Sequence, residues 1–164
     1  CREAPQGGTP ELSERFFHAV NTFQFLLAAP ARAKVNPELE AAGARVFERV
    51  GCAGCHVPQL PVPRDSGSIR IDPYTDLLLH DLGAGLADAA GEGAASASEW
   101  RTPPLWGLGL VEGKPNARFL HDARASTLSD AIRWHGGEAL PAQRAFVQLA
   151  DADQSALLGF LRSL

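Results

Sequence analysis

Several residue types and patterns are scarce in this 164-residue sequence. Methionine is absent, so no thioether sulfur can serve as a metal ligand. Lysine occurs only at Lys34 and Lys114, and the formal net charge is −4 with a pI near 5.7. This balance argues against nucleic acid or an anionic membrane surface as a partner. No apolar run of about 18 residues occurs, so we expect no membrane-spanning helix.

Cysteine is also scarce, with three in the chain, and one of them is the first residue. Cys1 cannot be a start residue, so we expect a processed or truncated product. Three interpretations of Cys1 stay open. It is the first residue of a fragment, the lipidated first residue of a lipoprotein, or one half of an intermolecular disulfide.

Helical patterns occupy the first third of the chain. A first apolar stripe ends before Pro30 and consists of Leu12, Phe16, Val20, Phe23 and Leu27. A second helix is expected to begin after Asn36 as its N-cap, with Pro37 in its first turn, and to end at Gly51. We predict that its buried face consists of Leu39, Gly43, Val46, Phe47 and Val50.

Helical patterns return near the carboxyl end of the chain. Thr127 and Asp130 form a capping-box pattern, and Gly136 ends that helix. A short helix follows Pro141, and a last helix has Asp151 and Gln154 as expected cap partners. Three further helices are therefore predicted in this region.

The segment between these regions, from Val57 to about Gly113, is rich in Pro, Gly, Ala and Ser. A loop this long in a compact chain needs a reason, such as a large group around which it wraps. No strand alternation is evident. We therefore predict an all-α fold with a helical arm over residues 1–35 and one domain over residues 36–164.

The stretch Cys52-Ala-Gly-Cys55-His56 matches the C-x-x-C-H attachment signature of haem c. The two thiols would bond to the vinyl groups of haem, and His56 would ligate the iron. A zinc site would need a second cysteine or histidine pair, and a thioredoxin-like dithiol would need a β-α-β context. We therefore predict one covalent haem c in a class I cytochrome c-like domain. Long loops would wrap the haem, and an extra helix would precede the domain.

The second axial ligand must come from a residue other than methionine. The candidates are His18, His80, His121, His135 and Tyr74, with Lys34 and Lys114 as remote alternatives. His135 would share one helical face with Leu128, Ala131 and Ile132, so its imidazole would point where the apolar side chains point. A buried core histidine would show the same pattern.

The other candidates have simpler interpretations. His80 and His121 are each followed by aspartate, which favours hydrogen bonding in loops or support of a ligand. His18 lies off the apolar stripe and is expected in solvent, and Tyr74 is expected to be structural. We predict His135 as the ligand, with His80 and His121 as alternatives.

Several ordered motifs extend this interpretation. They are CAGCHVP, YTDLLLHDLGAGLAD, EWRTPPLWGLGL, FLHDARASTLSDAIRWHGGEA and ALLGFLRSL. Nearly the whole chain resembles the C-terminal haem domain of the bacterial dihaem c-type cytochrome family that is described as thiol oxidoreductase-like. This family is distantly similar to bacterial dihaem cytochrome c peroxidases and to MauG.

The resemblance implies roles for particular residues. In those relatives a helix after the His-Asp-Gly motif carries the sixth haem ligand, methionine in the peroxidases and tyrosine in MauG. The matching position here is His135. The segment from Arg101 to Pro103 resembles the haem-lining segment, with Arg101 as an expected propionate partner. Trp106 is expected to help shield the haem.

Two departures from the family pattern matter. The relatives have an N-terminal domain with its own C-x-x-C-H motif, which this sequence lacks, and the peroxide chemistry of the peroxidases resides there. Ala123 also stands where the relatives usually carry glycine. The first departure favours electron transfer over catalysis by this chain alone.

We therefore predict a monohaem c-type cytochrome for electron transfer, within a larger redox system in the periplasm or another extracytoplasmic compartment. One alternative is a peroxidase-like dihaem fragment whose second haem lies on a missing domain or partner. Another is a structural subunit tethered to a membrane complex through lipidated Cys1. The acidic balance predicts a redox partner with a basic patch, or another cytochrome, and salt-sensitive binding.

Overall fold

The computed structural model describes residues 5–164, so the interpretations of Cys1 lie outside the described residues. The described chain contains helices and two small antiparallel sheets, with 42% helix and 12% strand. The predicted all-α, class I cytochrome c-like fold is therefore wrong, because the architecture is mixed. Each helix within residues 5–164 is too short or too polar to span a lipid bilayer.

The helices and strands follow one another in a simple order. The helices are α1 (Glu14–Leu26), α2 (Pro37–Arg49), α3 (Leu108–Val111), α4 (Leu128–Trp134), α5 (Leu140–Val147) and α6 (Asp151–Ser163). The strands are β1 (Leu60–Arg64), β2 (Gly67–Ile71), β3 (Leu79–Asp81) and β4 (Glu99–Arg101). β1 pairs with β2, and β3 pairs with β4.

Both sheets lie in the segment that we predicted to be a loop. β1 contains Pro61 and Pro63, which an edge position of a two-stranded hairpin tolerates. β3 and β4 have only three residues each. Strands this short cannot show the alternation by which strands are recognised in a sequence.

Three predicted helix starts can be compared with the structure. Asn36 Oδ1 accepts a hydrogen bond from the Glu38 amide at 2.8 Å, and Thr127 Oγ1 accepts one from the Asp130 amide at 3.0 Å. These two caps are confirmed. The predicted cap pair of α6 is wrong, because Ala150 is the N-cap and the Gln154 side chain donates to the Leu149 carbonyl.

The chain forms two compact units, Cys1–Pro30 and Ala31–Leu164. The first contains α1, which buries none of its residues, so its predicted apolar stripe is exposed. The second contains all other helices and strands. Within it, the Ala33 amide donates to the Ser163 carbonyl at 3.0 Å, which fastens its first residues to the end of α6. The predicted division into residues 1–35 and 36–164 stays a prediction.

The core of the second unit lies where α2 packs against α6. A Cβ atom on Gly43 would lie 2.2 Å from the Ala156 carbonyl oxygen, so the two helix backbones are in direct contact there. Beside this contact the rings of Phe47, Tyr74 and Phe160 meet edge to face, with centroids 5.4 to 5.9 Å apart. The predicted buried face of α2 is confirmed except at Leu39, which is 62% exposed.

Candidate functional site

His56 lies just after the turn that follows the end of α2. Gly51, with φ of +92°, reverses the chain into a 3₁₀ turn over Cys52–Gly54, and the His56 amide donates to the Cys52 carbonyl. The His56 Nδ1 atom lies 3.0 Å from the Tyr74 carbonyl oxygen. Because a carbonyl can only accept, Nδ1 carries the proton and Nε2 carries the lone pair that a metal requires.

His135 is anchored in the same way from another part of the chain. It is the C-cap of α4, and its Nδ1 atom lies 2.8 Å from the Ala131 carbonyl oxygen. The last carbonyls of a helix lack partners within the helix, so this ring donates to one of them. Within residues 5–164, neither His56 Nε2 nor His135 Nε2 has a hydrogen-bond partner.

The surroundings of both rings favour the neutral imidazole. Burial is the main reason that the pKa of His56 is lowered to about 4; the hydrogen bond to the Tyr74 carbonyl opposes this effect, and the positive charge that His135 would carry adds to it. Burial also lowers the pKa of His135. Both rings are therefore neutral at pH 7, which is the form that binds a metal.

The two cysteines that precede His56 are free thiols. Burial raises the pKa of Cys52 to about 11. Burial, followed by the negative charges of Asp76 and Glu138, raises the pKa of Cys55. A redox-active dithiol has a lowered thiol pKa, so these surroundings argue against the thioredoxin-like alternative.

His80 lies on β3 and has both ring nitrogens occupied. Its Nδ1 atom lies 2.9 Å from Glu138 Oε2, and its Nε2 atom lies 2.8 Å from Asp76 Oδ2. The ligand atoms of Cys55, Asp76 and His80 lie within 4.8 Å of one another, as they would around a metal ion. However, two carboxylate partners favour His80 as an imidazolium, which has no lone pair for a metal.

The hydrogen bond that His80 donates to Glu138, and then the one that it donates to Asp76, raises the pKa of His80. A raised pKa in the folded state stabilises the protein below the unfolded pKa of about 6.5, and this stabilisation is lost as the pH rises through the folded pKa. We therefore expect the free energy of unfolding to fall across that interval relative to that of His80→Gln.

Chemical denaturation of the holoprotein between about pH 5 and pH 9 measures this difference. His18→Gln, which replaces an exposed histidine of α1, is the matched control and should keep the wild-type slope. If the free energy of unfolding of His80→Gln depended on pH as that of the wild type does, the prediction would be contradicted.

The remaining histidines lie in other settings. The His121 ring stacks on Trp100 with centroids 3.6 Å apart, and its Nε2 atom lies 3.3 Å from Asp88 Oδ1. The neighbouring Asp122 pairs with Arg124. His18 is exposed on α1.

The predicted haem-contacting residues lie on β4 and just after it. Arg101 pairs with Leu79 across the sheet, and Arg101 and Pro103 are exposed, whereas Trp106 is partly buried. The buried Thr102 between them accepts a hydrogen bond from Thr75 Oγ1 at 2.7 Å on its carbonyl oxygen. The roles of Arg101, Pro103 and Trp106 as haem contacts stay predictions.

Four groups that hold the histidines of the candidate site in place were not predicted from the sequence. Two are the backbone carbonyls of Tyr74 and Ala131, which carry no residue-type signal. The other two are the carboxylates of Asp76 and Glu138. Asp76 lies four residues before His80, a spacing that could have suggested the pair, whereas only the fold brings Glu138 to His80.

The chain was compared with protein families, curated proteins and solved structures. A family model described as "Di-haem oxidoreductase, putative peroxidase" matches residues 2–164. Neither the curated proteins nor the solved structures gave a match. The family match confirms the relationship predicted from the motifs and implies haem binding. The chain belongs to the di-haem oxidoreductase family.

Proposed function

We propose that this chain is a monohaem c-type electron-transfer domain. Cys52 and Cys55 hold the haem covalently, and His56 and His135 are its two axial ligands. The observation that supports this proposal is that both rings are anchored through Nδ1, which leaves each Nε2 unprotonated and able to bind a metal.

The chemistry of these residues fits a haem. When bound, haem supplies a one-electron iron couple. Cys52 begins a single 3₁₀ turn and Cys55 ends it, immediately before the anchored ring of His56. Because the backbone fixes the orientation of both rings, they have little freedom to reorient when the charge at the site changes, which favours rapid electron exchange.

The anchoring of two imidazoles also favours electron transfer over peroxide chemistry. Binding of peroxide requires an open or weakly held axial position, and a firmly held second imidazole blocks it. The family description supports the alternative function, a peroxidase-like dihaem oxidoreductase. Under that alternative, this chain supplies one haem, and the other lies on a further domain or subunit.

The proposal includes a setting for the domain. Haem attachment through Cys52 and Cys55 is expected in the periplasm or another extracytoplasmic compartment, with membrane attachment if Cys1 is lipidated. The net charge of −4 favours a redox partner with a basic patch, or another cytochrome. Encounter with such a partner should weaken as salt rises, because exposed charges are screened.

Mass spectrometry of the intact holoprotein, with its EPR spectrum, tests the proposal. We expect a mass increase of one haem that survives denaturation, and a low-spin bis-imidazole signal in the oxidised protein. Cys52→Ser and Cys55→Ser should each shift the pyridine haemochrome band, since each removes one thioether, and the double variant should release its haem on denaturation.

Cys1→Ser is the matched control, because it replaces a cysteine outside the motif and should keep both thioether bonds. A haem that dissociates from the denatured wild type would disprove covalent attachment. A high-spin signal in the wild type would instead favour the peroxidase-like alternative.

A further inference from the structure

The loop that follows His135 is fastened to the end of β3 by a carboxylate. Glu138 Oε2 lies 2.9 Å from His80 Nδ1, and Glu138 Oε1 accepts a hydrogen bond from the Asp81 amide at 3.0 Å. One side chain thus contacts two consecutive residues of β3. Because Glu138 lies only three residues after His135, this contact restrains the segment that carries the ligand.

The same two segments also touch through their backbones. A Cβ atom on Gly137 would lie 2.1 Å from the Asp81 carbonyl oxygen, and one on Gly136 would lie 2.7 Å from the Leu82 carbonyl oxygen. Gly137 has φ of +51°, a conformation that favours glycine. The backbone contact and the Glu138 carboxylate therefore hold the loop at two adjacent points.

The other ring nitrogen of His80 contacts the segment that orients His56. His80 Nε2 lies 2.8 Å from Asp76 Oδ2, and Asp76 is two residues beyond Tyr74, whose carbonyl anchors the His56 ring. The second carboxylate oxygen of Asp76 accepts from the Leu78 amide, which fixes the carboxylate on its own turn. One imidazole therefore bridges the segment that orients His56 and the loop that follows His135.

We infer that the Asp76–His80–Glu138 cluster is a positioning group that controls how firmly His135 binds the iron. This inference rests on the proposed ligation by His56 and His135. Loss of Glu138 would leave His80 with one carboxylate partner and would remove the side-chain restraint on residues 136–138. His135 would then leave the iron more readily, although the ligand itself is unchanged.

The rate at which cyanide binds to the oxidised holoprotein, followed by absorbance, reports how readily His135 dissociates. We expect Glu138→Ala to raise this rate about ten- to hundredfold, the usual effect of removing a group that supports a metal ligand. Glu138→Gln keeps an acceptor oxygen for the Asp81 amide and should give an intermediate rate. His80→Ala should resemble Glu138→Ala.

Asp88→Ala is the matched control, because it also removes a carboxylate that pairs with a histidine, here His121. Its cyanide rate should stay within about twofold of the wild type, since Asp88 contacts neither His80 nor Glu138 in the described chain. Thermal unfolding of each variant separates ligand release from general destabilisation.

Two results would overturn the inference. One is a wild-type cyanide rate in both Glu138→Ala and His80→Ala, and the other is an equal rise in Asp88→Ala. If the wild type is low-spin, either result overturns only the role of the cluster and leaves the proposed ligation intact. A high-spin wild-type spectrum would overturn the proposed His135 ligation, and the inference with it.

Discussion

Replacing His135 with alanine should convert the oxidised holoprotein from a low-spin to a high-spin species. The ring is anchored through Nδ1 by the Ala131 carbonyl, which leaves Nε2 unprotonated. Under the proposed ligation, its loss would remove one axial ligand completely. EPR measures the change directly. Added imidazole should restore the low-spin signal, because it supplies the missing ligand without the anchor.

The reduction potential should change with the spin state, because axial ligands are a principal determinant of haem potential. His121→Ala is the matched control, since it removes a histidine that stacks on Trp100 and pairs with Asp88. It should keep the wild-type spectrum. A low-spin spectrum in His135→Ala would show that another residue is the second ligand.

The second large effect is expected from Gly43→Ala, which should lower the free energy of unfolding by about 3 kcal/mol. The added methyl group would lie 2.2 Å from the Ala156 carbonyl oxygen and 2.4 Å from Phe160 Cβ. Neither atom is the free end of a flexible side chain, so α2 and α6 would have to separate. Chemical denaturation of the holoprotein measures the loss.

Gly159→Ala provides the matched control on α6, because a Cβ atom there would meet nothing within 4 Å. Alanine should stabilise this helix position by about 0.5 to 1 kcal/mol. The same substitution is therefore expected to lower the free energy of unfolding at Gly43 and to raise it at Gly159. Similar effects at both would show that the close approach at Gly43 is not what limits substitution.

Features of the fold that depend on neighbouring residues could be predicted from the sequence. In the Asn36 and Thr127 caps, a side-chain oxygen accepts a hydrogen bond from an amide two or three residues further along the chain. Both caps are confirmed. The strands could not be predicted, because β3 and β4 are brought together by long-range pairing over only three residues each. The sheets account for the error in fold class.

The candidate site also contains features that the sequence could predict and features that only the fold reveals. Cys52, Cys55 and His56 form a contiguous motif with a chemical meaning. His135 was chosen from its helical face and from the family resemblance, although α4 ends one residue before it. The anchoring carbonyls and the carboxylates around His80 depend on the folded path of the chain, so no local pattern could identify them.

Tyr74 serves the core and the candidate site at the same time. Its ring packs between Phe47 and Phe160, while its backbone, with φ of +54°, directs its carbonyl oxygen to His56 Nδ1. Repacking these aromatic rings for heat resistance would also shift that carbonyl and so alter the basicity of the imidazole. Under the proposed ligation by His56, substitutions that change the thermostability of this aromatic cluster would therefore also change the reduction potential.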